Sequence, residues 1–201
     1  QLAPDRAALR DAHMQLAGLW SEHLGDSPRA LVSLQAVLSL EKNHRGALAR
    51  LSELYEREGR VDDAVDAAQS LLTATAEGHP RERASALVRL ARLERARGND
   101  GGAARALRDA VALEGPGSES ALECKALMQN KADWQGYVGA IEEFLRNAPD
   151  KKTAAASYLE LARVMQDQLG DAERALRFLE KGIEASGGDL TLRRERALRL
   201  R

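Results

Sequence analysis

Aromatic residues are scarce in this sequence, at 3% of 201 residues, although hydrophobic residues as a whole make up 44%. That hydrophobic content is normal for a folded protein, so a disordered chain is not expected. A core built mainly from Leu, Ala and Val favours many close contacts between pairs of helices over one large central core. The shortage of aromatics also argues against a stripe of exposed rings on which bases could stack.

Cysteine and long apolar runs are equally scarce. Cys124 is the only cysteine, so an intrachain disulfide is impossible, and a reducing, cytoplasmic compartment is the simplest expectation. No run of about 18 apolar residues is available to span a membrane, so membrane insertion is not expected. Because the sequence begins with Gln1 and not with Met, we expect it to be a fragment of a longer protein whose targeting signals lie elsewhere.

Neither sign of charge dominates the sequence. Thirty basic residues stand against 31 acidic ones, and the formal net charge is -1. A nucleic-acid-binding protein usually carries an excess of positive charge, so no nucleic-acid partner is expected and any basic surface must be local. Arginine is much commoner than lysine and alanine is abundant, which suggests a GC-rich, bacterial genome.

Signatures of catalysis and of metal binding are also missing. The sequence contains no phosphate-binding loop, no dinucleotide fingerprint and no HExxH motif. Its four histidines are scattered without the spacing of metal ligands. Cys124 occupies a packing position and is expected to be a small buried hydrophobe. The sequence therefore predicts a protein that is not an enzyme and that holds neither a cofactor nor a metal.

Apolar residues recur at helical spacing along the chain, and stretches rich in glycine and aspartate separate them, which predicts an all-α fold. Ten helices fit between these turns, with the start of an eleventh. The helices superpose in pairs, and one site on the second helix recurs about every 36 residues, a period typical of helical solenoids. The residues at that site are Ala30, Ala64, Ala103, Tyr137 and Ala175.

The segments 51–72, 90–116 and 161–183 resemble the tetratricopeptide repeat. Each has a small residue on its first helix, a turn with glycine, and a small residue on its second helix. The resemblance implies a single domain over residues 1–201, a right-handed α-solenoid of about five antiparallel helix-turn-helix repeats plus a terminal helix. We expect the native array to be longer. The expected repeats are 8–43, 44–79, 81–115, 118–149 and 152–186, and 189–201 is a terminal helix or the start of a further repeat.

Several places depart from the repeat pattern. Repeat four has Lys125 and Tyr137 where both residues are usually small, so we expect its two helices to be splayed. The turns Leu24-Gly25-Asp26 and Leu169-Gly170-Asp171 each carry one extra residue. In both, glycine can adopt the left-handed conformation that ends a helix, and aspartate can cap the next helix. Glu94 stands where a bulky apolar residue is usual, and we expect its carboxylate to reach solvent or Arg97.

The resemblance also implies a binding surface, because in this family the first helices line a concave groove that receives peptides or partner domains. We expect Arg89 and Arg92 to make acidic contacts there. The sequence therefore predicts a non-catalytic interaction scaffold for a protein or peptide with an acidic segment. The candidate contact residues, all on the outward side of first helices, are Arg50, Glu53, Arg89, Arg92, Arg95 and Arg163.

Ion pairing between neighbouring first helices is the competing prediction for these arginines. Glu53 would face Arg92 and Glu56 would face Arg95, and Glu123 would in turn face Arg89. Exposed pairs of this kind contribute only about 0–1 kcal/mol each, yet they would partly neutralise the arginines. The sequence leaves open whether the arginines bind a ligand or these glutamates.

Two other functions remain alternatives to a scaffold, and the oligomeric state is open. One is a helical-repeat RNA-binding module, which would need a basic face through consecutive repeats. Acidic residues on the later first helices, such as Glu119 and Glu160, argue against it. The other is a regulatory or oligomerisation arm of a larger enzyme or signalling protein.

Overall fold

The structure, a computed structural model, describes residues 5–76, 80–128, 131–147 and 149–200. Within these residues the chain forms eleven α-helices and no β-strand, which confirms the all-α prediction. The helices α1 to α11 are Arg6–Gly18, Ser27–Leu40, Arg45–Arg57, Val61–Ala74, Pro80–Ala96, Asp100–Glu114, Glu119–Ala126, Lys131–Arg146, Lys151–Val164, Ala172–Ser186 and Leu190–Arg199.

Two compact units divide the chain, Gln1–Asn99 (unit 1) and Asp100–Arg201 (unit 2). In unit 1 each helix packs on the next, from α1 to α5. Its core contains Ala17 and Ala30, both fully buried. Two small residues allow α1 and α2 to approach closely. The repeat boundaries stay a prediction, and of the predicted domain 1–201 the residues 1–4, 77–79, 129–130, 148 and 201 lie outside the described residues.

Unit 2 is built from α6 to α11. Helix α6 packs on both α7 and α8, and α8, α9, α10 and α11 follow one another. Cys124 and Tyr137 are fully buried in this unit. Burial raises the pKa of the Cys124 thiol to about 11. Burial also raises the pKa of Tyr137, and the nearby carboxylate of Glu160 adds to that effect.

Turns without an extra residue close in the same way in two places of unit 1. The amide of Arg60 donates to the carbonyl of Tyr55 at 2.9 Å, and the amide of Asn99 donates to the carbonyl of Glu94 at 2.8 Å. Each bond reaches back five residues, as in the Schellman ending of a helix. A glycine with positive φ precedes both amides.

The two turns with an extra residue place that residue inside the preceding helix. The amide of Asp26 reaches back six residues to Trp20, and that of Asp171 reaches Met165, each at 2.8 Å. The additional residue forms a π-helical turn, at Leu19–His23 after α1 and at Met165–Leu169 after α9. The equivalent carbonyl therefore accepts the closing hydrogen bond in all four turns.

The residues of these longer turns have the conformations that the sequence predicts. Gly25 has φ 64° and Gly170 has φ 71°, so both lie in the left-handed region. The Asp26 and Asp171 side chains each accept a hydrogen bond from a backbone amide in the first turn of the next helix. The predicted roles of glycine and aspartate are confirmed.

Glu94 is buried, with 5% of its surface exposed. Its carboxylate accepts hydrogen bonds from Arg97 Nε at 2.8 Å and from Asn99 Nδ2 at 2.8 Å. The predicted contact with Arg97 is confirmed, and the carboxylate lies in the interior and not in solvent. Glu94 of α5 occupies the position that Tyr55 occupies in α3. The hydrogen bonds of the Glu94 carboxylate compensate for its removal from water.

Candidate partner-binding surface

Two depressions lie along the first helices of unit 1, and we call them together the first-helix surface. The first depression has a volume of about 480 Å³ and is lined by α1, by the π-turn that follows it and by Arg50 of α3. The second has a volume of about 430 Å³ and is lined by residues of α3, α4 and α5, with Arg89 among them. Two of the predicted contact residues therefore border a depression.

Arg50 is held loosely at the first depression. Its Nη1 donates a long hydrogen bond of 3.4 Å to the carbonyl of Met14, and its Nη2 lies 3.8 Å from Glu22 Oε1. Gly18 makes room for the guanidinium, because a Cβ at this position would lie 3.0 Å from Arg50 Nη1. The side chain is 42% exposed. Arg50 thus presents a positive group whose donors are only partly used.

Arg89 is held firmly at the second depression. Its Nε donates to Ser52 Oγ at 3.0 Å, its Nη1 to Glu53 at 2.8 Å and its Nη2 to Glu56 at 3.4 Å. Ser52 is buried and donates in turn to the carbonyl of Ala64 at 3.1 Å. These contacts fix the guanidinium in one place and offset its charge with two carboxylates.

The predicted partners of these glutamates were wrong. Glu53 and Glu56 both pair with Arg89, whereas Arg92 and Arg95 lie further along α5. The prediction assumed that equivalent positions of neighbouring helices lie side by side, but Arg89 is the equivalent of Arg50, so the contacts run diagonally. A long arginine side chain spans that offset, and side chains lean towards the start of their helix. The predicted pair of Arg89 with Glu123 stays a prediction.

Arg92 and Arg95 are both exposed on α5. Arg95 forms no ion pair with any residue that the structure describes. Arg163 belongs to unit 2, where its Nη2 lies 3.4 Å from Glu195 of α11. Hydrogen bonds from Arg199 first, and then from Arg163, lower the pKa of Glu195.

Small residues open the second depression, and the sequence did not single them out. Gly46 and Ala49 line it from α3, Ser85 and Ala86 line it from α5, and Leu71 lies at its α4 side. The sequence pattern indicated only outward-facing residues of first helices, so it did not predict the contribution of α4. Gly46 and Ala49, one turn apart on α3, and the adjacent Ser85 and Ala86 on α5 were the signal that could have revealed the depression.

A salt bridge crosses the rim of the second depression. Arg45 Nη1 lies 2.9 Å from Glu82 Oε2, and Arg45 Nε donates to the carbonyl of Ala74 at 3.0 Å. Arg45 therefore connects the start of α3, the end of α4 and the start of α5. On the first-helix surface the cations Arg45, Arg50 and Arg89 are set against the carboxylates Glu22, Glu53, Glu56 and Glu82. These three positive and four negative charges largely offset one another around the two depressions.

The described part of the chain contains neither a group of three candidate metal ligands nor a helix able to span a membrane. Among residues 5–76, 80–128, 131–147 and 149–200, no three His, Cys, Asp or Glu side chains are grouped so that they could hold a metal ion. No helix within the same ranges combines the length and the apolar character needed to cross a membrane.

Comparison with known proteins finds similarity of structure only. No family model matches the chain, and no curated protein matches it. The crystal structure of MamA protein is 16% identical and has a TM-score of 0.53, with 90% of this chain and 93% of that chain covered. The crystal structure of YrrB, a TPR protein with an unusual peptide-binding site, is 18% identical and has a TM-score of 0.50, with 94% and 96% covered.

These similarities establish the fold. The chain has a helical-repeat fold of the tetratricopeptide type, which confirms the resemblance of fold found in the sequence. The fold by itself defines neither a function nor a partner.

Proposed function

We propose that the chain is a non-catalytic scaffold that binds an extended segment of a partner protein along the first-helix surface of unit 1. The observation that carries the proposal is that residues predicted to face a partner, Arg50 and Arg89, border two depressions on this surface. The fold supports it as well, since YrrB is described as having a peptide-binding site.

The second depression is the place where an apolar side chain of the partner binds. Gly46, Ala49 and Ala86 offer little bulk, and Leu71 supplies an apolar surface beside them. Transfer of an aliphatic side chain from water into such a site is favourable by about 25 cal/mol per Å² of apolar surface buried. This contact supplies affinity, and the surrounding charges supply orientation.

Arg50 is the cation best placed to meet a carboxylate of the partner, because its own contacts are long. Arg89 keeps N–H groups beyond the three that bind Ser52, Glu53 and Glu56, so it can bridge these residues and a ligand oxygen. Arg92 and Arg95 extend the basic edge along α5, and Arg163 offers a similar contact in unit 2. Because Arg89 is held before binding, little ordering entropy is lost at this side chain.

Site-specific photocrosslinking tests the surface. A benzoylphenylalanine at Ser85, which is exposed in the lining of the second depression, should capture the partner in the native cell. The matched control is the same group at Gln69, on the exposed side of the second helix α4. Equal capture from both positions would contradict the proposal.

Charge reversal tests the arginines. Arg89→Glu with Arg92→Glu should reduce capture from Ser85 by about tenfold or more, because each change places a carboxylate where the partner's acidic group lies. The control is Arg105→Glu with Arg174→Glu, an equal charge change at exposed positions of second helices. If the fold is intact and capture is unchanged in the first variant, the role of Arg89 and Arg92 is wrong.

A further inference from the structure

A third depression lies in unit 2, on helices that the proposed function does not use. It has a volume of about 350 Å³, at the small end of the range for ligand sites. We call it the second-helix pocket because most of its lining comes from the second helices α8 and α10. The lining residues are Glu142, Leu145, Arg146, Tyr158, Phe178 and Lys181.

Two aromatic rings give the pocket a fixed apolar side. Phe178 is buried, with 6% of its surface exposed, and Tyr158 is half-buried. Gly182 brings α10 close to α9 at this point, since a Cβ there would lie 2.7 Å from Tyr158 Cβ. The close approach packs Tyr158 against α10, and the burial of Phe178 restricts the movement of its ring.

Two cations, Arg146 and Lys181, border the same pocket, and within the described residues neither is held in an ion pair. Lys181 Nζ lies 6.0 Å from the centre of the Phe178 ring, at the limit of a cation–π contact. Neither Lys181 nor Arg146 forms an ion pair with any described residue. Elsewhere in unit 2 Arg163, Arg177, Arg196 and Arg199 each pair with a glutamate.

We propose that the second-helix pocket binds a segment of a partner protein in which one acidic residue adjoins a phenylalanine or a leucine. The apolar side chain would lie against Tyr158 and Phe178, and the carboxylate would lie between Arg146 and Lys181. Glu142 is the one acidic side chain in the lining, so two cations face one carboxylate and the pocket accommodates a single negative charge. This site is independent of the first-helix surface.

A pair of blocked dipeptides tests the charge requirement. Acetyl-Asp-Phe-amide is titrated into the ¹⁵N-labelled full chain, and chemical shift changes should saturate at residues of α8, α9 and α10 that line the pocket. Acetyl-Asn-Phe-amide has the same shape without the charge, and its affinity should be lower by about fivefold or more. Equal affinities for the two peptides, changes elsewhere only, or no saturable change would overturn the proposal.

Substitutions locate the effect within the pocket. Arg146→Gln and Lys181→Gln should each weaken the Asp peptide about fivefold, and Glu142→Gln should strengthen it, because the opposing carboxylate is removed. Arg174→Gln and Lys152→Gln are the matched controls, at exposed cations of unit 2 outside the lining. An equal loss in the controls, or a loss of affinity in Glu142→Gln, would overturn the assignment. The dipeptide results do not depend on whether Ser85 captures a partner.

Discussion

Arg89 of unit 1 and Arg146 of unit 2 both border a depression, yet only Arg89 forms ion pairs with described residues. Arg89 is bonded to Ser52, Glu53 and Glu56 of the preceding first helix, whereas Arg146 forms no ion pair with any described residue. The difference comes from the neighbouring helices, because α3 offers two glutamates to Arg89, while α10 offers Lys181 to the pocket of Arg146. In a helical repeat the availability of a cation is therefore a property of the adjacent helix.

The buried thiol of unit 2 gives the largest expected effect and a way to follow this unit alone. Burial raises the pKa of Cys124 to about 11, so at pH 8 its thiolate fraction is about a hundredfold lower than that of a cysteine with a pKa near 9. Iodoacetamide should therefore alkylate the folded chain at least about a hundredfold more slowly than the chain in urea. Similar rates would show that Cys124 is accessible.

The direction of the pH dependence follows from the same burial. The folded state raises the pKa of Cys124 and thereby favours the neutral thiol. The stability from burying it is present below the pKa of the unfolded thiol and is lost as pH rises through about 11. The free energy of unfolding of Cys124→Ala, measured with denaturant, should fall less steeply than that of the wild type between pH 9 and 11. Parallel curves of this free energy against pH would contradict the linkage.

Gly182 allows α10 to pack closely on α9 at the aromatic side of the second-helix pocket. Its replacement should disturb this packing in unit 2. A Cβ would lie 2.7 Å from Tyr158 Cβ and 2.9 Å from Leu192 Cδ1, so Gly182→Ala should destabilise unit 2 by about 2 kcal/mol through overpacking. Urea unfolding followed by Cys124 alkylation measures the loss.

Gly139 is the matched control for Gly182. It lies within α8, and a Cβ there would meet nothing within 4 Å. Gly139→Ala should stabilise the chain by about 0.5–1 kcal/mol, because alanine loses less backbone entropy in a helix. A loss of stability in both variants would show that close approach at Gly182 is not the cause.

Removal of the two glutamates should make Arg89 resemble Arg146, and this is the smallest of the expected effects. Glu53→Gln with Glu56→Gln leaves the shape of the surface but frees the guanidinium. Acetyl-Asp-Phe-amide should then bind beside Arg89 about fivefold more tightly than in wild type, measured by shifts of α3 and α5 amides.

The control for that pair of substitutions is Glu58→Gln with Glu184→Gln. Both residues are exposed, and together they give the same change of net charge away from Arg89. If this control raises the affinity equally, the effect belongs to the overall charge and not to the release of Arg89.

Local features of the fold were predictable from the sequence because they depend on a few neighbouring residues. Helical periodicity, the left-handed Gly25 and Gly170, and the contact between Glu94 and Arg97 are of this kind. The π-turn at Leu19–His23 was not predicted, because an extra residue can be accommodated either in the loop or in the helix. The carbonyl that accepts the closing hydrogen bond shows where the extra residue lies, and the sequence does not specify that carbonyl.

The candidate site was less predictable because it depends on the offset between helices. Residue spacing placed Arg50 and Arg89 on the outward side of first helices, where each borders a depression. Sequence alignment of repeats does not state how far one helix is displaced along the next, so the partners of Glu53 and Glu56 were assigned one turn or more too far. The part that Leu71 of α4 plays in the second depression depends on the same packing.

The mobility of the two guanidinium groups tests most directly the claim that neighbouring helices decide which cations are available. Arginine Nε–H signals are recorded in the ¹⁵N-labelled chain and assigned with Arg89→Lys and Arg146→Lys. Because Arg89 Nε donates to Ser52 at 3.0 Å within a set of three partners, its proton should exchange with water at least about tenfold more slowly than that of Arg146. Equal exchange rates would contradict the account.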